Sequence, residues 1–339
     1  MAKSVTLSDI GNRLGVSTVT VSKALSGQPG VSDEMREKII ILADEMGYKR
    51  TAVKRVDASE KGSTIGVIIS KQYMGKYDSF YLKMYQVINE KALDNGSFAL
   101  LITIDGNDEK NLVIPKIILD GQVDGLIFAG RLSKEYIEEV IKQTDLPRVF
   151  LDFSDKDGLE DAIISDSYYG AYQMTKYLIR NGHKKIAYVG TLLSTESITD
   201  RYMGYTRALM EAGITPLKEW QIDDRYLETG NVDEEKLMVL PEKMPTAFFC
   251  NCDSTAGMII KKLIKEGYKV PEDISVVGYD NFIYPGLSDI DITTYEVDYR
   301  KMAQLAWKNI NKKLTNPLYH NRIHIVEGRL IEKNSVKSL

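Results

Sequence analysis

The sequence predicts a small all-α N-terminal domain of three helices, followed by a larger α/β domain of two doubly wound parallel-sheet subdomains. Apolar residues recur at helical spacing up to about residue 48, and short Val- and Ile-rich runs alternate with amphipathic stretches from residue 62 onward. A length of 339 residues suits roughly two or three domains. We therefore place the helical headpiece at 1–48, a basic linker at 49–62 and the α/β domain at 63–333.

The three N-terminal helices follow from capping residues and apolar spacing. Thr6, with Asp9 three positions later, is a capping-box pattern for the first helix, and Ser17 can cap the second. Gly15 between them supplies the backbone freedom of a tight turn. Ser32 opens the third helix. The apolar positions that would form one core are Leu7, Ile10, Leu14, Val16, Val21, Leu25, Met35, Ile39, Leu42 and Met46.

The outward side of the second helix carries hydroxyl, methyl and ammonium groups but no carboxylate, at Thr18, Val19, Thr20, Ser22 and Lys23. Such a face approaches phosphates and base edges without repulsion, and the second helix of a helix-turn-helix enters the major groove. The net charge of −4 argues against a nucleic-acid partner, but residues 1–61 carry ten Lys and Arg against eight Asp and Glu. DNA binding is therefore favoured over the alternative, a helical subdomain without a partner.

This segment resembles the LacI/GalR (lactose-repressor) family of bacterial transcriptional regulators. The resemblance lies in TLSDIGNRLGVSTVTVSKALSG and in PGVSDEMREKIIILADEMGY. It implies that bases are read by Thr18, Val19 and Lys23. It implies that phosphates are held by Thr6, Ser17, Thr20, Ser22 and Ser26.

The linker departs from the family pattern, in which a hinge helix ends in a Leu that wedges into the minor groove. Arg50 stands where Pro is usual and Asp57 stands at the wedge position, whereas Arg55 fits. An acidic side chain cannot enter between bases beside phosphates without desolvation and repulsion. The basic residues, Arg50 and Arg55 among them, either follow the DNA backbone or form a solvated tether. We expect less operator bending than in relatives.

The larger domain reads as parallel sheets covered by helices. Its strands are TIGVIIS, FALLITI, DGLIFAG, PRVFLD, AIISD, KIAYVG, TAFFCN and ISVVGYD. Eight strands favour two subdomains, which we place at about 63–162 plus 292–319 and about 163–291 plus 320–333. Ligands of such folds bind at the carboxyl ends of the strands. The pattern resembles periplasmic binding proteins and LacI/GalR effector domains, including RNGHKKIAYVG and KVPEDISVVGYDN.

Arg201 and Asp253 are the main candidates for an effector site. A guanidinium bridges neighbouring hydroxyls, a carboxylate accepts two hydrogen bonds, and together they suit a polyol. The alternative is an Arg–Asp ion pair that fixes the packing, but the resemblance places both residues on the family's effector pair. It also assigns to this site, as aromatic walls or polar contacts, Phe80, Tyr81, Phe153, Ser197, Tyr226 and Asp280.

The sequence favours no catalytic, metal or cofactor chemistry. It contains no Gly-x-Ser-x-Gly elbow and no His-Glu-x-x-His motif. No run approaches the ~18 apolar residues of a membrane span, and no secretory signal is recognisable. We therefore expect a cytoplasmic homodimer, a repressor that binds a near-palindromic DNA operator and senses a small sugar. The alternatives are a sugar-binding transport receptor, a regulator that senses a nucleobase, and a sugar-modifying enzyme fused to a DNA-binding module.

Overall fold

The chain divides into two compact units, Met1–Val56 and Asp57–Leu339. The computed structural model describes residues 6–25, 30–46, 62–74, 79–154, 160–227, 229–282, 286, 288–316 and 319–339. The linker residues Arg50, Arg55 and Asp57 therefore lie outside the described residues. Within those ranges, no helix is both long and apolar enough to cross a membrane.

The N-terminal unit contains three helices around one apolar core, as the sequence predicts. The helices are α1 (Leu7–Leu14), α2 (Thr18–Leu25) and α3 (Asp33–Glu45). Each helix contributes at least one side chain that is fully buried, namely Ile10, Val21 and Ile39. Ala24 and Ala43 complete this core, and their small size lets the helices approach closely. The shape of the unit therefore rests on residues within one short stretch of chain.

The predicted caps of the three helices are confirmed. The Thr6 backbone N–H donates to Asp9 Oδ2 at 2.8 Å, and the Asp9 N–H donates back to Thr6 Oγ1 at 3.3 Å. Gly15 ends α1 with a φ of 66°, a left-handed conformation that glycine adopts without penalty. The Ser17 and Ser32 hydroxyls accept first-turn N–H groups of α2 and α3 at 3.1 and 3.4 Å.

The first half of the larger unit, lobe 1, is built on one parallel sheet. Its elements are β1 (Thr64–Ser70), α4 (Phe80–Asp94), β2 (Phe98–Ile104), α5 (Gly106–Lys110), α6 (Lys116–Leu119), β3 (Gly125–Ala129), α7 (Lys134–Gln143), β4 (Arg148–Leu151), β5 (Asp161–Ser165), α11 (Tyr299–Thr315) and β11 (Ile323–Val326). The strand order is β11-β5-β4-β3-β1-β2. Val67 belongs to the same buried cluster as Val87 of α4, whereas its neighbour Ile68 belongs to the cluster that contains Tyr136 of α7. Helices therefore cover both faces, which explains the continuous apolar runs.

The second half, lobe 2, has a smaller parallel sheet in the order β7-β6-β8-β9. Its elements are α8 (Ser167–Arg180), β6 (Ile186–Val189), α9 (Glu196–Glu211), β7 (Gln221–Ile222), β8 (Ala247–Cys250), α10 (Asp253–Lys265) and β9 (Ser275–Val277). An antiparallel pair, β10 (Thr294–Glu296) with β12 (Arg329–Ile331), lies where the chain passes between the lobes. Two doubly wound parallel-sheet subdomains are thus confirmed.

Two details differ from the sequence-based expectation. The predicted second subdomain includes 163–291 and 320–333, but β5 continues to Ser165 and β11 pairs with it in the sheet of lobe 1. Ile323 and Ile325 of β11 are exposed, so this edge strand lacks the buried apolar run that marks the others. The run DRYMGYTRALMEAG predicts a helix that begins at about Arg201, but α9 begins at Glu196 after its cap Thr195 and places Arg201 in its second turn.

Candidate functional site

The exposed face of α2 is the first candidate site. Thr18 is exposed, and Val19 is 60% exposed although it is apolar. Thr20 and Lys23 are half-buried, and the Thr20 hydroxyl is hydrogen-bonded to that of Ser17 at 2.9 Å. Helix α2 contains no acidic residue. The helix therefore presents hydroxyl and methyl groups without a carboxylate, a surface that suits the grooves of DNA.

Arg36 of α3 holds the end of α2, a role that the sequence did not reveal. Its Nη1 donates to the carbonyl oxygens of Lys23 and Ala24 at 3.3 and 3.0 Å. These carbonyls belong to the last turn of α2, where no intrahelical donor is available. The contact joins residues 12 and 13 positions apart, beyond the reach of helical periodicity. It fixes the direction of α2 relative to α3.

Part of the predicted DNA contact set is not described. The Ser22 side chain, Ser26, Arg50 and Arg55 lie outside the described residues, so their assignments stay predictions.

The second candidate site is a cavity of about 700 Å³ between the two lobes. Its walls come from loops just beyond the carboxyl ends of β1, β2, β3, β6 and β7, where ligands of such sheets bind. The polar side chains that line it are Ser70, Gln72, Tyr73, Glu109, Lys110, Arg131, Ser133, Glu135, Ser194, Thr195, Arg225, Thr229 and Asn231. The position of the predicted cleft is therefore right.

None of the eight predicted effector residues lines this cavity. Four of them, Tyr81, Arg201, Asp253 and Asp280, belong to a polar cluster next to it, which we call the inner cluster. Tyr81 connects the inner cluster to the cavity, because its ring lies 4.9 Å from that of the cavity residue Tyr73. These four residues therefore lie behind the cavity wall and not on it, and their assignment to an effector site stays a prediction.

Tyr81 and Asp152 form the lobe 1 side of the inner cluster. The Tyr81 hydroxyl donates to Asp152 Oδ2 at 2.8 Å, and its ring packs on Gly130, where a Cβ would come within 2.7 Å of the ring. Burial, and next the charge of Asp152, raise the pKa of Tyr81 well above its ordinary value. The tyrosine is therefore a neutral donor, held in place by a residue from another strand end.

Arg201 forms the lobe 2 side of the inner cluster, and the residue is only 7% exposed. Its Nη1 donates to the Asn251 carbonyl oxygen at 2.6 Å, and its guanidinium lies 3.9 Å from the centre of the Tyr279 ring. Its Nε is buried and has no hydrogen-bond partner. Within the described residues, no ion pair joins Arg201 to Asp253, which removes the alternative in which such a pair merely fixes the packing.

Two acidic side chains complete the inner cluster. Asp253 is 5% exposed, and its Oδ1 is buried without a hydrogen-bond partner. Asp280, with a φ of 93°, accepts the Phe282 N–H at 2.9 Å. Burial raises the pKa of Asp253 well above its usual range, helped by the charge of Asp280, and burial raises the pKa of Asp280 to about 7. The pair can therefore offer both a donor and an acceptor near neutral pH.

The remaining predicted effector residues lie elsewhere. Phe80 packs edge-on against aromatic rings at the base of α4, and Ser197 is hydrogen-bonded to the Thr195 hydroxyl at 3.1 Å. Phe153 packs at 4.8 Å on Phe150, in the core on the α7 side of the sheet. Tyr226 is 37% exposed and bonds Asp233 at 2.8 Å. Phe153 and Tyr226 thus have packing or hydrogen-bond partners of their own and do not line the cavity, and their assignment as ring walls stays a prediction.

Sequence reasoning missed Tyr73, Arg131 and Arg225 as cavity residues. Burial raises the pKa of Tyr73 to about 12, against the opposing charges of Arg225 and Arg131. Arg131 Nη1 donates to the carbonyl oxygen of Ser194 in the other lobe. Arg131 follows the end of β3, so the strand-end rule could have found it. Arg225 follows β7, which has two residues and no readable pattern.

Comparison with known proteins gives matches over both units. Residues 6–51 match the family described as bacterial regulatory proteins, lacI family, and residues 175–336 match the periplasmic binding protein-like domain. The HTH-type transcriptional repressor PurR of Vibrio campbellii is 28% identical over 336 residues, covering 98% of this chain and 99% of the relative.

Two solved structures share the fold over nearly the whole chain. A complex of the transcriptional regulator CelR with cellobiose has a TM-score of 0.69 at 20% identity and covers 98% of this chain and 99% of its own. The lac repressor dimer bound to operator and the anti-inducer ONPF has a TM-score of 0.67 at 23% identity and covers 99% and 100%.

Proposed function

Because this chain belongs to the LacI family of bacterial regulatory proteins, we propose that it is a cytoplasmic repressor of sugar-utilisation genes. It binds a near-palindromic operator as a homodimer, and a small carbohydrate in the interlobe cleft changes its operator affinity. The observation that carries this proposal is the pairing of a carboxylate-free recognition face with a polar cavity between two lobes. Such a cavity lets a ligand bias the relative position of the lobes.

The DNA part of the proposal rests on α2. Thr18, Val19 and Lys23 are the proposed base contacts, and Thr6, Ser17 and Thr20 are the proposed phosphate contacts. Ser22, Ser26, Arg50 and Arg55 are proposed from the sequence alone. One helix of this length makes few base contacts, so two copies related by a twofold axis are needed for specificity.

The proposed subunit interface is in lobe 1. The segment 107–121 exposes apolar side chains, among them Val113 at 49% and Leu119 at 42%, and Phe98 is 61% exposed. Contiguous exposed apolar surface of this kind marks protein interfaces. Covering it with a second copy would place two α2 helices in one assembly.

The carbohydrate part rests on unpaired buried groups and hydroxyl-rich walls. Arg201 Nε and Asp253 Oδ1 lack hydrogen-bond partners, and a buried polar group in that state costs about 1–3 kcal/mol. Sugar hydroxyls can donate to the carboxylate and accept from the guanidinium. A fold relative was solved with cellobiose, whereas the curated relative carries the name PurR, so purine bases form the second candidate class.

A ligand screen by thermal shift on the full chain tests the proposal. We expect one or more mono- or oligosaccharides to raise the melting temperature, and the shift to disappear in Arg201→Ala and Asp253→Ala. Arg180→Ala, an exposed arginine on α8, is the matched control and should respond as the wild type does. Fluorescence anisotropy with operator DNA, with and without the ligand, then measures the coupling.

Two outcomes would count against the proposal. An unchanged ligand response in both cluster variants would rule out the inner cluster as part of the site. A response to purine bases alone would replace the carbohydrate with a nucleobase and leave the DNA part intact.

A further inference from the structure

The cavity wall contains a guanidinium, that of Arg131, with no carboxylate within 4.0 Å among the described residues. We propose that the effector bears an anionic group, a carboxylate or a phosphate, bound by Arg131 together with Arg225. This inference rests on the proposed function, because it specifies the ligand of the same cleft. It adds to the inner cluster a second binding element that faces the open cavity.

Arg131 is the central residue of this element. It lies in the loop between β3 and α7, and its only hydrogen bond within the described residues goes to the Ser194 carbonyl of lobe 2. Those residues include no carboxylate within 4.0 Å of its guanidinium. A guanidinium is always charged, so Arg131 carries a full positive charge that no acidic side chain neutralises.

The acidic residues of the cavity do not form an ion pair with Arg131 within the described residues. Glu109 keeps its negative charge, but its Oε1 accepts the Ser133 N–H at 2.5 Å, and the carboxylate is farther than 4.0 Å from the Arg131 guanidinium. Glu135 is exposed, as is the basic Lys110. The charges of these two exposed residues offset each other, so together they do not neutralise the charge of Arg131.

Arg225 approaches from lobe 2. Its Nε and Nη2 donate to the buried Asp224 carboxylate at 3.0 and 2.6 Å, and Nη2 also donates to Asn251 Oδ1 at 3.2 Å. These contacts hold the guanidinium rigidly, and its Nη1 makes no hydrogen bond within the described residues. An arginine fixed in this way binds an anion without losing side-chain entropy on binding.

Arg131, Arg225 and the ring of Tyr73 line the same cavity, the two arginines from opposite lobes. The Arg225 charge is compensated by Asp224, so Arg225 would contribute donors in a fixed direction and Arg131 would contribute the uncompensated charge. Both can form charge-assisted hydrogen bonds to an anion, which are stronger than those to a neutral hydroxyl.

Matched pairs of sugars test the inference by isothermal titration calorimetry on the full chain. The probes are glucose, glucuronate and glucose 6-phosphate, with the corresponding galactose series. We expect at least one acidic sugar to bind about ten- to hundredfold more tightly than its neutral partner, the range of one or two charge-assisted bonds. The carboxylate and phosphate arms distinguish the two sources of the charge.

Arg131→Gln should lower the affinity for the acidic sugar until it equals that of the neutral partner, so that the preference is lost. Arg131→Lys should retain part of it, because the charge remains and the planar fork is lost. Arg180→Gln is the matched control, an exposed arginine on α8 that does not line the cavity, and should preserve the preference.

The inference is overturned if the neutral member binds as tightly as the acidic one, if the preference survives Arg131→Gln, or if no acidic sugar of the panel binds. Failure of the proposed function looks different: Arg201→Ala and Asp253→Ala would then leave the binding of every sugar unchanged.

Discussion

The N-terminal unit and the interlobe cleft differ in the sequence separation of the contacts that position their polar side chains. In the N-terminal unit, the side chains that face outward lie on one helix, and the contact that orients them joins residues 13 positions apart. In the cleft, Arg131 bonds a carbonyl 63 positions away and Tyr81 bonds a carboxylate 71 positions away. A recognition face can therefore be read from local sequence, whereas a ligand site is created by strand ends that only the fold brings together.

The strongest test of this separation places a carboxylate on α2. Val19→Glu should lower operator affinity by at least about 100-fold, because the new charge meets phosphates and base acceptors. The ligand-induced melting shift should not change. Fluorescence anisotropy and thermal shift measure the two effects.

Ile41→Glu is the matched control, since Ile41 is 52% exposed on α3. Equal losses of affinity in both variants would mean that general charge, and not the α2 face, controls binding.

The second test uses pH, because the cleft and not the α2 face holds buried acids. Burial raises the pKa of Asp280 to about 7 from an ordinary value of 3.8. Between pH about 4 and 7, the unfolded chain has lost this proton while the folded chain keeps it. The contribution of Asp280 to the free energy of unfolding should therefore fall as pH rises through this window, by at most about 1.4 kcal/mol per pH unit, and level off above it, while the raised pKa of Asp253 adds a decrease of the same sign.

Asp280→Asn should flatten that part of the profile in urea unfolding, while the exposed Asp289→Asn should leave it unchanged. If the free energy of unfolding of Asp280→Asn changed with pH as steeply as that of the wild type, the pH dependence would come from other acidic residues.

A third test addresses the linker that joins the two regions. Asp57→Leu should increase operator bending and raise affinity by about tenfold, because an apolar side chain can enter between base pairs without the desolvation cost of a carboxylate. Phasing gels measure the bend. Glu60→Leu removes the same charge three positions further on and should not create a kink. A sharp central kink already in the wild type would contradict this view of the linker.

The smallest expected effect concerns the cap of α1. Thr6→Ala should destabilise the helix by about 1 kcal/mol, the usual cost of a lost N-cap. Hydrogen exchange of the α1 amides, measured without DNA, should accelerate about fivefold. Thr18→Ala should weaken operator binding without changing this exchange. Unaltered exchange in Thr6→Ala would show that packing, not the cap, holds α1.

The sequence predicted much of the fold and the position of the cleft, but it did not predict which residues line the cavity. The eight apolar strands were found because helices bury both of their faces. β7 was missed because it has two residues, and β11 because its side chains are largely exposed. The effector candidates carried over by resemblance include Arg201 and Asp253, which do come close to the cleft. The family pattern could not show that Tyr81 lies between the inner cluster and the cavity, because this depends on ring packing against Gly130 and Tyr73.

The chain passes more than once between the two lobes, and this connectivity has a consequence for folding during protein synthesis. Lobe 1 receives its edge strand β11 only at residues 323–326, and lobe 2 receives Ser335 and Leu339, where the Leu339 N–H donates to the Asn181 carbonyl and Ser335 Oγ donates to that of Val276. Neither lobe can form all of these hydrogen bonds before residues 323–339 have left the ribosome. The N-terminal unit, whose contacts are all local, can fold long before. A nascent chain would therefore carry a formed DNA-binding face before it can respond to its ligand.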